Sequence, residues 1–399
     1  MKRRWISHLV LALSAGAAHA APNDYWKLEL LHSFDGGAGG YLPYAGLVES
    51  SKGVFWGTTS LGGVRDGSGT VFKFVPGAAP TVMHTFANDG AAGGRPMAAL
   101  LPVGRVLYGT TALGGSQQKG TLFKMSTLGS FTLLHSMAGT AGNEGSEPRA
   151  PLIRGSDGKF YGTTRYGGAH QKGTVFRMES SGAVTTLRSF GSPLGAGNDG
   201  EMPMAPLLQR ADGLLYGSTA LGGANDGGVL FRMGTTGASF TLLASLGAPG
   251  SPRTGGCTPQ AGLVPATGTS MAGTTTGCGS AGSGAIFSLT TGGAVSWLHS
   301  FVPATNGAPP GGELVQRSDG RFYGVTQDGA IGCGSVYSKN LSGSFARIAA
   351  FPADGSLGCG PVGALTNAQD GALYGVTMAG GAFNKGVIFR VRHIVSLPD

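Results

Sequence analysis

An aromatic residue followed by Gly-x-Thr returns along this chain at nearly fixed spacing, centred on Trp56, Tyr108, Tyr161, Tyr216, Tyr323 and Tyr374, with Ala272 standing in for the aromatic in one further copy. The seven centres lie 52, 53, 55, 56, 51 and 51 residues apart. Two landmarks travel with each copy. Upstream, a hydrophobic stretch ends near Ser-Phe, as at residues 30–34, 82–86 and 297–301; downstream comes Gly-x-apolar-aromatic, as at residues 69–72, 173–176 and 386–389. A further apolar stretch precedes each triplet, as at residues 45–48, 98–101, 150–153 and 205–208, so each repeat supplies four short strands. A period near 50 residues with four strands is that of a propeller blade, whereas solenoid repeats are usually shorter.

Between the apolar stretch and the triplet sit Asp157-Gly158, Asp212-Gly213, Asp319-Gly320 and Asp370-Gly371. Tight hairpins favour this pair where both central positions take positive φ, so adjacent strands are expected to pair antiparallel. From the downstream aromatic to the end of the next Ser-Phe stretch the interval is 14 or 15 residues in six copies, yet only ten residues follow Phe389. The last repeat therefore lacks its fourth strand, while the chain opens with a spare one at residues 26–34. Lending one to the other predicts an all-β fold: a seven-bladed β-propeller of four-stranded antiparallel blades, closed by the N-terminal strand, which also removes open sheet edges. The 75 glycines and the low charged fraction of 12% agree with turn-linked strands, since Gly is costly inside helices. The Gly of every triplet predicts close approach of another group, expected to be an aromatic of the neighbouring blade. The threonines that follow predict cross-strand hydroxyl pairs.

The first twenty residues read as a secretory signal peptide: Lys2, Arg3 and Arg4, an apolar run from 9 to 18, then Ala18-His19-Ala20 before Ala21. One domain is expected over residues 21–399. No later stretch approaches the roughly 18 to 20 apolar residues of a membrane-spanning helix, and strands of about five residues fall short of the 9 to 11 of an outer-membrane barrel. The formal charge of +8 falls to +5 once Lys2, Arg3 and Arg4 leave, and the remaining basic residues are scattered. Nucleic-acid binding wants them clustered on one face, so nucleic acid is not an expected partner. Cys257, Cys278, Cys333 and Cys359 fall at equivalent edges of the last three repeats. In an exported chain they predict disulfides Cys257–Cys278 and Cys333–Cys359, with a zinc site as the alternative.

The run Tyr161-Gly162-Thr163-Thr164, then Gly167-Gly168, then Gly-Thr-Val-Phe at 173–176 resembles the GloVer tandem repeat of exported bacterial proteins, named for Gloeobacter and Verrucomicrobia. It covers essentially the whole mature chain. The resemblance implies an exported propeller, and varied C-terminal surface anchors among its members. This chain departs there, ending Val395-Ser396-Leu397-Pro398-Asp399, so a periplasmic or freely secreted monomer is the expectation.

Function is less legible. The intervals within repeats stay at 14 to 16 residues, whereas those from Ser-Phe to the next triplet range from 22 to 26. Variable connections on a rigid scaffold are where binding commonly sits. The connections carry acidic or amide turns that include Asp89, Glu144 and Asp199, which read either as ordinary turn chemistry or as oxygen ligands for calcium or sugar hydroxyls. Basic and aromatic residues on the same side, Tyr41, Tyr44, Arg65, Arg95, Arg149, Arg165, Tyr166, His170 and Arg253, suit an anionic or glycan ligand, against the plainer reading of a solvated rim. Arg165-Tyr166 departs from Ser60-Leu61, Ala112-Leu113 and Ala220-Leu221 at the same position. His32, His84, His135 and His299 recur at one repeat position and read as strand-surface residues. No metal or cofactor motif and no G-x-S-x-G, H-E-x-x-H or Walker-type sequence occurs. A glycan- or envelope-binding module is therefore the first expectation. A lyase or hydrolase acting on polysaccharide or peptidoglycan, with a site at the tunnel mouth, and a passive envelope or matrix protein are the alternatives.

Overall fold

The computed structural model describes residues 24–64, 67–87, 90–194, 197–247, 255–329 and 332–395. The expected signal peptide and the rim candidates Arg65, Asp89 and Arg253 lie outside them. Among the described residues, seven antiparallel blade sheets follow one another around a ring, joined by small two-stranded ribbons, with one helical turn at Pro303–Asn306. The first blade is Val48–Ser51, Val54–Thr59, Thr70–Phe74 and Thr81–Thr85, paired in that order. In the sixth, the innermost strand is split, Ala308–Pro310 and Val315–Gln316 both pairing with Phe322–Asp328. The last blade consists of Cys359–Asn367, Leu373–Ala379 and Val387–Val395, with Asp24–Ser33 as its fourth strand.

That closing strand runs antiparallel to Val387–Val395 from Asp24↔Val395 to Ser33↔Val387, with a register shift between Leu30 and His32. Trp26, Leu28 and Leu30 pack on the core of blades six and seven, and Phe34 enters the cluster shared by the last blade and the first. Charge reinforces the seam, because Glu29 accepts from Arg390 Nε at 2.9 Å and from Arg392 Nε at 3.0 Å. The Arg392 guanidinium, with the Arg390 guanidinium and the Lys27 ammonium adding, holds the Glu29 carboxyl down to about 2 despite the opposing effect of burial. Its stabilising contribution is thus present above the ordinary carboxylate range and lost as pH falls toward 2.

The triplet glycines make room for an aromatic of their own blade, not of the neighbour as expected from sequence. Gly57 pairs with Phe72 across the sheet, and a Cβ on it would lie 2.4 Å from the ring and 2.8 Å from Leu47 Cδ2. The same trio recurs, for example as Gly162, Phe176 and Leu152. The triplet's own aromatic does the work between blades: Trp56 is buried among Leu100, Leu107 and Phe123 of the second blade, and Tyr374 of the last packs 4.2 Å from Phe55 of the first. The division follows from strand alternation, which sends Gly and its aromatic neighbour to opposite faces of the sheet.

The hairpins also differ in detail. Only the Gly of each Asp-Gly pair is left-handed, at φ 75 to 81°. The Asp serves another end, its Oδ2 accepting the buried Tyr hydroxyl four residues on, at 2.7 Å in Asp157–Tyr161 and Asp212–Tyr216. Repeats without that Asp carry a different solution; in the first, Trp56 Nε1 donates to Ser50 Oγ at 3.0 Å. The threonine hydroxyls pair across strands as expected, at 2.8 Å for Thr59–Thr70 and 2.7 Å for Thr111–Thr121. The histidines are not simply on the strand surface. His84 stacks on Phe131 at 3.9 Å and His299 on Phe345 at 4.0 Å, in each case a ring from the next blade, and Arg188 covers Phe240 in the same way. Burial, with Lys339 nearby, depresses His299 to about 4.

A second interlock has no counterpart in the sequence reading. Each blade enters its inner strand through a Pro whose Cδ faces the downstream-landmark Gly of the preceding blade, as Pro96 faces Gly69 and Pro43 faces Gly386 around the seam. The residue before that Pro is left-handed although not glycine at Leu42, Arg95, Glu147, Met202 and Thr258, with φ between 53 and 60°. Such a conformation costs on the order of 1 kcal/mol per residue and persists only where surroundings over-determine it. Here each N–H donates to the preceding blade, Arg95 to Ser68 O at 2.7 Å and Glu147 to Lys119 O at 2.9 Å. Each carbonyl accepts from its own blade, as Glu147 O does from Arg165 N at 3.1 Å.

Candidate functional site

These entry segments converge on the centre of the ring. They enclose a cavity of about 170 Å³ to which all seven blades contribute. The repeated Pro-x-small-x-Leu pattern brings small residues inward, such as Gly46, Ala99, Pro151, Pro206 and Ala364. The polar exceptions are Tyr44, Arg149, Gln260, Thr276, Glu313 and Gln327. Tyr44 is 39% exposed. The side-chain amides of Gln260 and Gln327 make no hydrogen bond among the described residues.

Glu313 occupies the repeat position held elsewhere by Gly46, Ala99 and Pro206. Its half-buried side chain lines the cavity beside Gly262, where a Cβ would sit 2.5 Å from Oε1, and no cation pairs with it among the described residues. Burial raises its pKa from an ordinary 4.5 to about 7, and a hydrogen bond from the Gly262 backbone offsets only part of that rise. Below pH 4.5 the group is neutral whether the chain is folded or unfolded. Between there and about pH 7 the unfolded chain ionises it while the fold keeps it protonated, so stability falls as pH rises and levels off above that. Glu313→Gln should therefore raise stability at pH 8 by on the order of 2 kcal/mol and leave it unchanged at pH 4, read by thermal unfolding at the two values. A variant equally stabilised at both would show that the carboxyl does not titrate as described.

The connections and the loops after the triplets meet on one face. Tyr41 bridges Leu61, Gly94 bridges Leu113, Gly145–Ser146 pairs with Tyr166–Gly167, and Glu201 bridges Leu221. The disulfide Cys257–Cys278 lies in the same bridge of blade five, and Cys333–Cys359 ties the sixth blade to the last. In chain-entropy reasoning each closes its loop for roughly 3 kcal/mol of stabilisation.

On this face the rim candidates fall into two groups. Arg149, Arg165 and Tyr166 gather around Glu147: Arg149 Nη2 lies 2.8 Å and Arg165 Nη1 3.6 Å from Glu147 Oε2, and the Arg165 guanidinium covers the Tyr166 ring at 4.6 Å. The Nε atoms of both arginines are buried without a hydrogen-bond partner. The others are spread over neighbouring connections. Asp199 is fully buried, paired with Arg188 and accepting the Gly191 and Ser192 N–H groups at 2.8 Å. Glu144 accepts from His135 Nε2 at 2.9 Å and from Ala138 N at 3.0 Å. His170 is exposed, its Nε2 3.2 Å from Ser192 Oγ, with no carboxylate on its other ring nitrogen among the described residues. Arg95 is exposed and its side chain forms no ion pair among them. The cavity residues Gln260, Glu313 and Gln327 were not singled out from sequence. Aligning the seven entry segments would have exposed Glu313, the one acid at a position of small residues.

A ring of seven four-stranded blades with its connections gathered over a central cavity defines a β-propeller. The chain belongs to the Gloeobacter/Verrucomicrobia repeat family, whose repeat matches residues 20–203 and again 203–394. No curated protein matches its sequence. Among solved structures it is similar in fold to the BP39L lectin of Burkholderia pseudomallei, at 10% identity and a TM-score of 0.59 over 90% of this chain and 98% of that one. It is also similar to a puromycin-hydrolyzing peptidase of Mycobacterium tuberculosis, at 11% identity and a TM-score of 0.49 over 92% of this chain and 55% of that one. No helix among the described residues is long and apolar enough to cross a membrane, and the two disulfides are consistent with a periplasmic or extracellular setting.

Proposed function

We propose that the protein is an exported carbohydrate-binding module whose ligand, a glycan of the cell envelope or its surroundings, sits at the mouth of the central tunnel. The observation that carries this reading is the cavity itself. Seven equivalent segments converge there, and among their small apolar residues stand a ring, two unengaged amides and a guanidinium, the mixture of faces and hydrogen-bonding groups that suits sugar hydroxyls. Arg165 and Tyr166, ordered beside Arg149 by Glu147, extend the mouth outward. Arg95 and His170 would add specificity at its rim. Export rests on the signal-like start at residues 1–20 and on the disulfides.

The test is retention of the purified protein on immobilised envelope and extracellular polysaccharides. Arg149→Ala combined with Gln327→Ala should lower affinity at least tenfold for any glycan retained, with thermal unfolding unchanged. Retention on no glycan, or undiminished retention of the variant, would overturn the assignment. One observation favours a catalytic alternative: a protonatable carboxyl near pKa 7 facing a cavity is what a general acid requires. Glycoside hydrolysis normally needs a second carboxylate across the site, and none lines this cavity among the described residues. Turnover of a retained polysaccharide that is lost in Glu313→Gln would establish the enzymatic reading instead.

A further inference from the structure

A second concavity, of about 550 Å³, opens on the other end of the blades beside the closure seam. That volume lies within the range of small-ligand sites. Its walls come from the Asp319-Gly320 hairpin and the outer strand of blade six, and from Trp26 and His393, which face each other across the seam pairing. Three guanidiniums line it, Arg317, Arg321 and Arg347, against one carboxylate. That carboxylate is already engaged, Asp319 Oδ2 accepting the Tyr323 hydroxyl at 2.6 Å and Oδ1 the Arg321 backbone N–H at 3.0 Å.

The positive charge is only partly offset by that carboxylate. Arg317 donates to Gly371 O at 2.7 Å and covers the rings of Trp26 and Tyr323, 5.8 and 5.5 Å away. Arg321 Nε is buried with no hydrogen-bond partner. Buried Lys339 donates to Asn340 O at 2.6 Å, and burial followed by the nearby Arg321 charge depresses its pKa. Arg347 is exposed and forms no ion pair among the described residues. A concave wall with excess guanidinium charge and an unsatisfied donor is built to attract an oxyanion. The hydroxyls of Ser318 and Ser338 and the Trp26 indole line the same walls, supplying partners for the sugar that carries such a group.

We propose that this groove binds an acidic sugar, its carboxylate or sulfate held by Arg321 and Arg347. The assignment does not depend on the tunnel reading, since none of these residues lines the central cavity. The experiment is titration calorimetry on the full chain with oligogalacturonate, sulfated dextran, neutral dextran and sodium sulfate alone. At least one acidic oligomer should bind while neutral dextran does not, and the affinity should fall at least tenfold in Arg347→Ala and in Arg321→Gln. Raising the salt about tenfold should weaken it, because exposed charge attraction is screened. Equal binding of neutral dextran, wild-type affinity in both arginine variants, or sulfate alone binding as tightly as the oligomers would each overturn the proposal, the last by reducing the groove to a simple anion site.

Discussion

A chain starting at residue 35 should lose cooperative unfolding or melt more than ten degrees below the full protein, and should associate in solution. The deletion removes Trp26, Leu28, Leu30 and Phe34 from two clusters that span blades. Burying side chains of this size contributes roughly 1.5–3 kcal/mol each, together comparable with the 5–15 kcal/mol by which whole domains are stable. It also leaves the edge of Val387–Val395 unpaired, an open template for another chain. A synthetic peptide spanning residues 24–34, added in excess, should restore both the melting temperature and the association state of the full protein. A truncated protein with the stability of the full one would mean that the seam does not hold the ring.

The second large effect is expected from a single methyl group. In Gly162→Ala the new Cβ would meet Phe176 Cζ at 2.5 Å and Leu152 Cδ2 at 2.9 Å, both in the packed interior of blade three. Overpacking of this sort costs about 3 kcal/mol, seen as a lower urea midpoint with an unchanged slope. Phe176→Leu removes the ring and is destabilising by itself, but it also vacates the space that the methyl needs. The double variant should therefore lose less than the sum of the two single losses. Strict additivity, or a neutral Gly162→Ala, would contradict the account of why that glycine recurs in every repeat.

Much of the ring was legible because repetition turns strand counting into topology. The missing strand after Phe389 and the spare one before residue 35 had one economical solution, and the pairing of Asp24–Ser33 with Val387–Val395 is that solution. The disulfides were legible for a related reason, since the repeat places Cys257 and Cys278 at bridged positions. The left-handed entry residues were not. Leu42, Arg95, Glu147, Met202 and Thr258 share no side-chain chemistry, and their conformation is imposed by hydrogen bonds to the preceding blade. Spacing alone does not say which sheet face a residue shares with its neighbour, so it points to the neighbouring blade for the aromatic over each triplet glycine, whereas that aromatic belongs to the same blade. Asp199 looked like a rim carboxylate in a turn, yet it is buried against Arg188 from the adjoining outer strand, a pairing eleven residues apart with no motif to announce it. The acid in the cavity was hidden differently, by its position within an otherwise plain apolar segment.

Because the strand contributed from the start of the chain pairs by backbone hydrogen bonds only with the third strand of the last blade, nothing in that pairing counts how many blades stand between. Duplication or loss of an internal repeat would leave the join chemically intact. What would change is the circumference of the ring, and with it the bore at its axis. A change in repeat number would thus alter that bore without requiring a new way to close the ring.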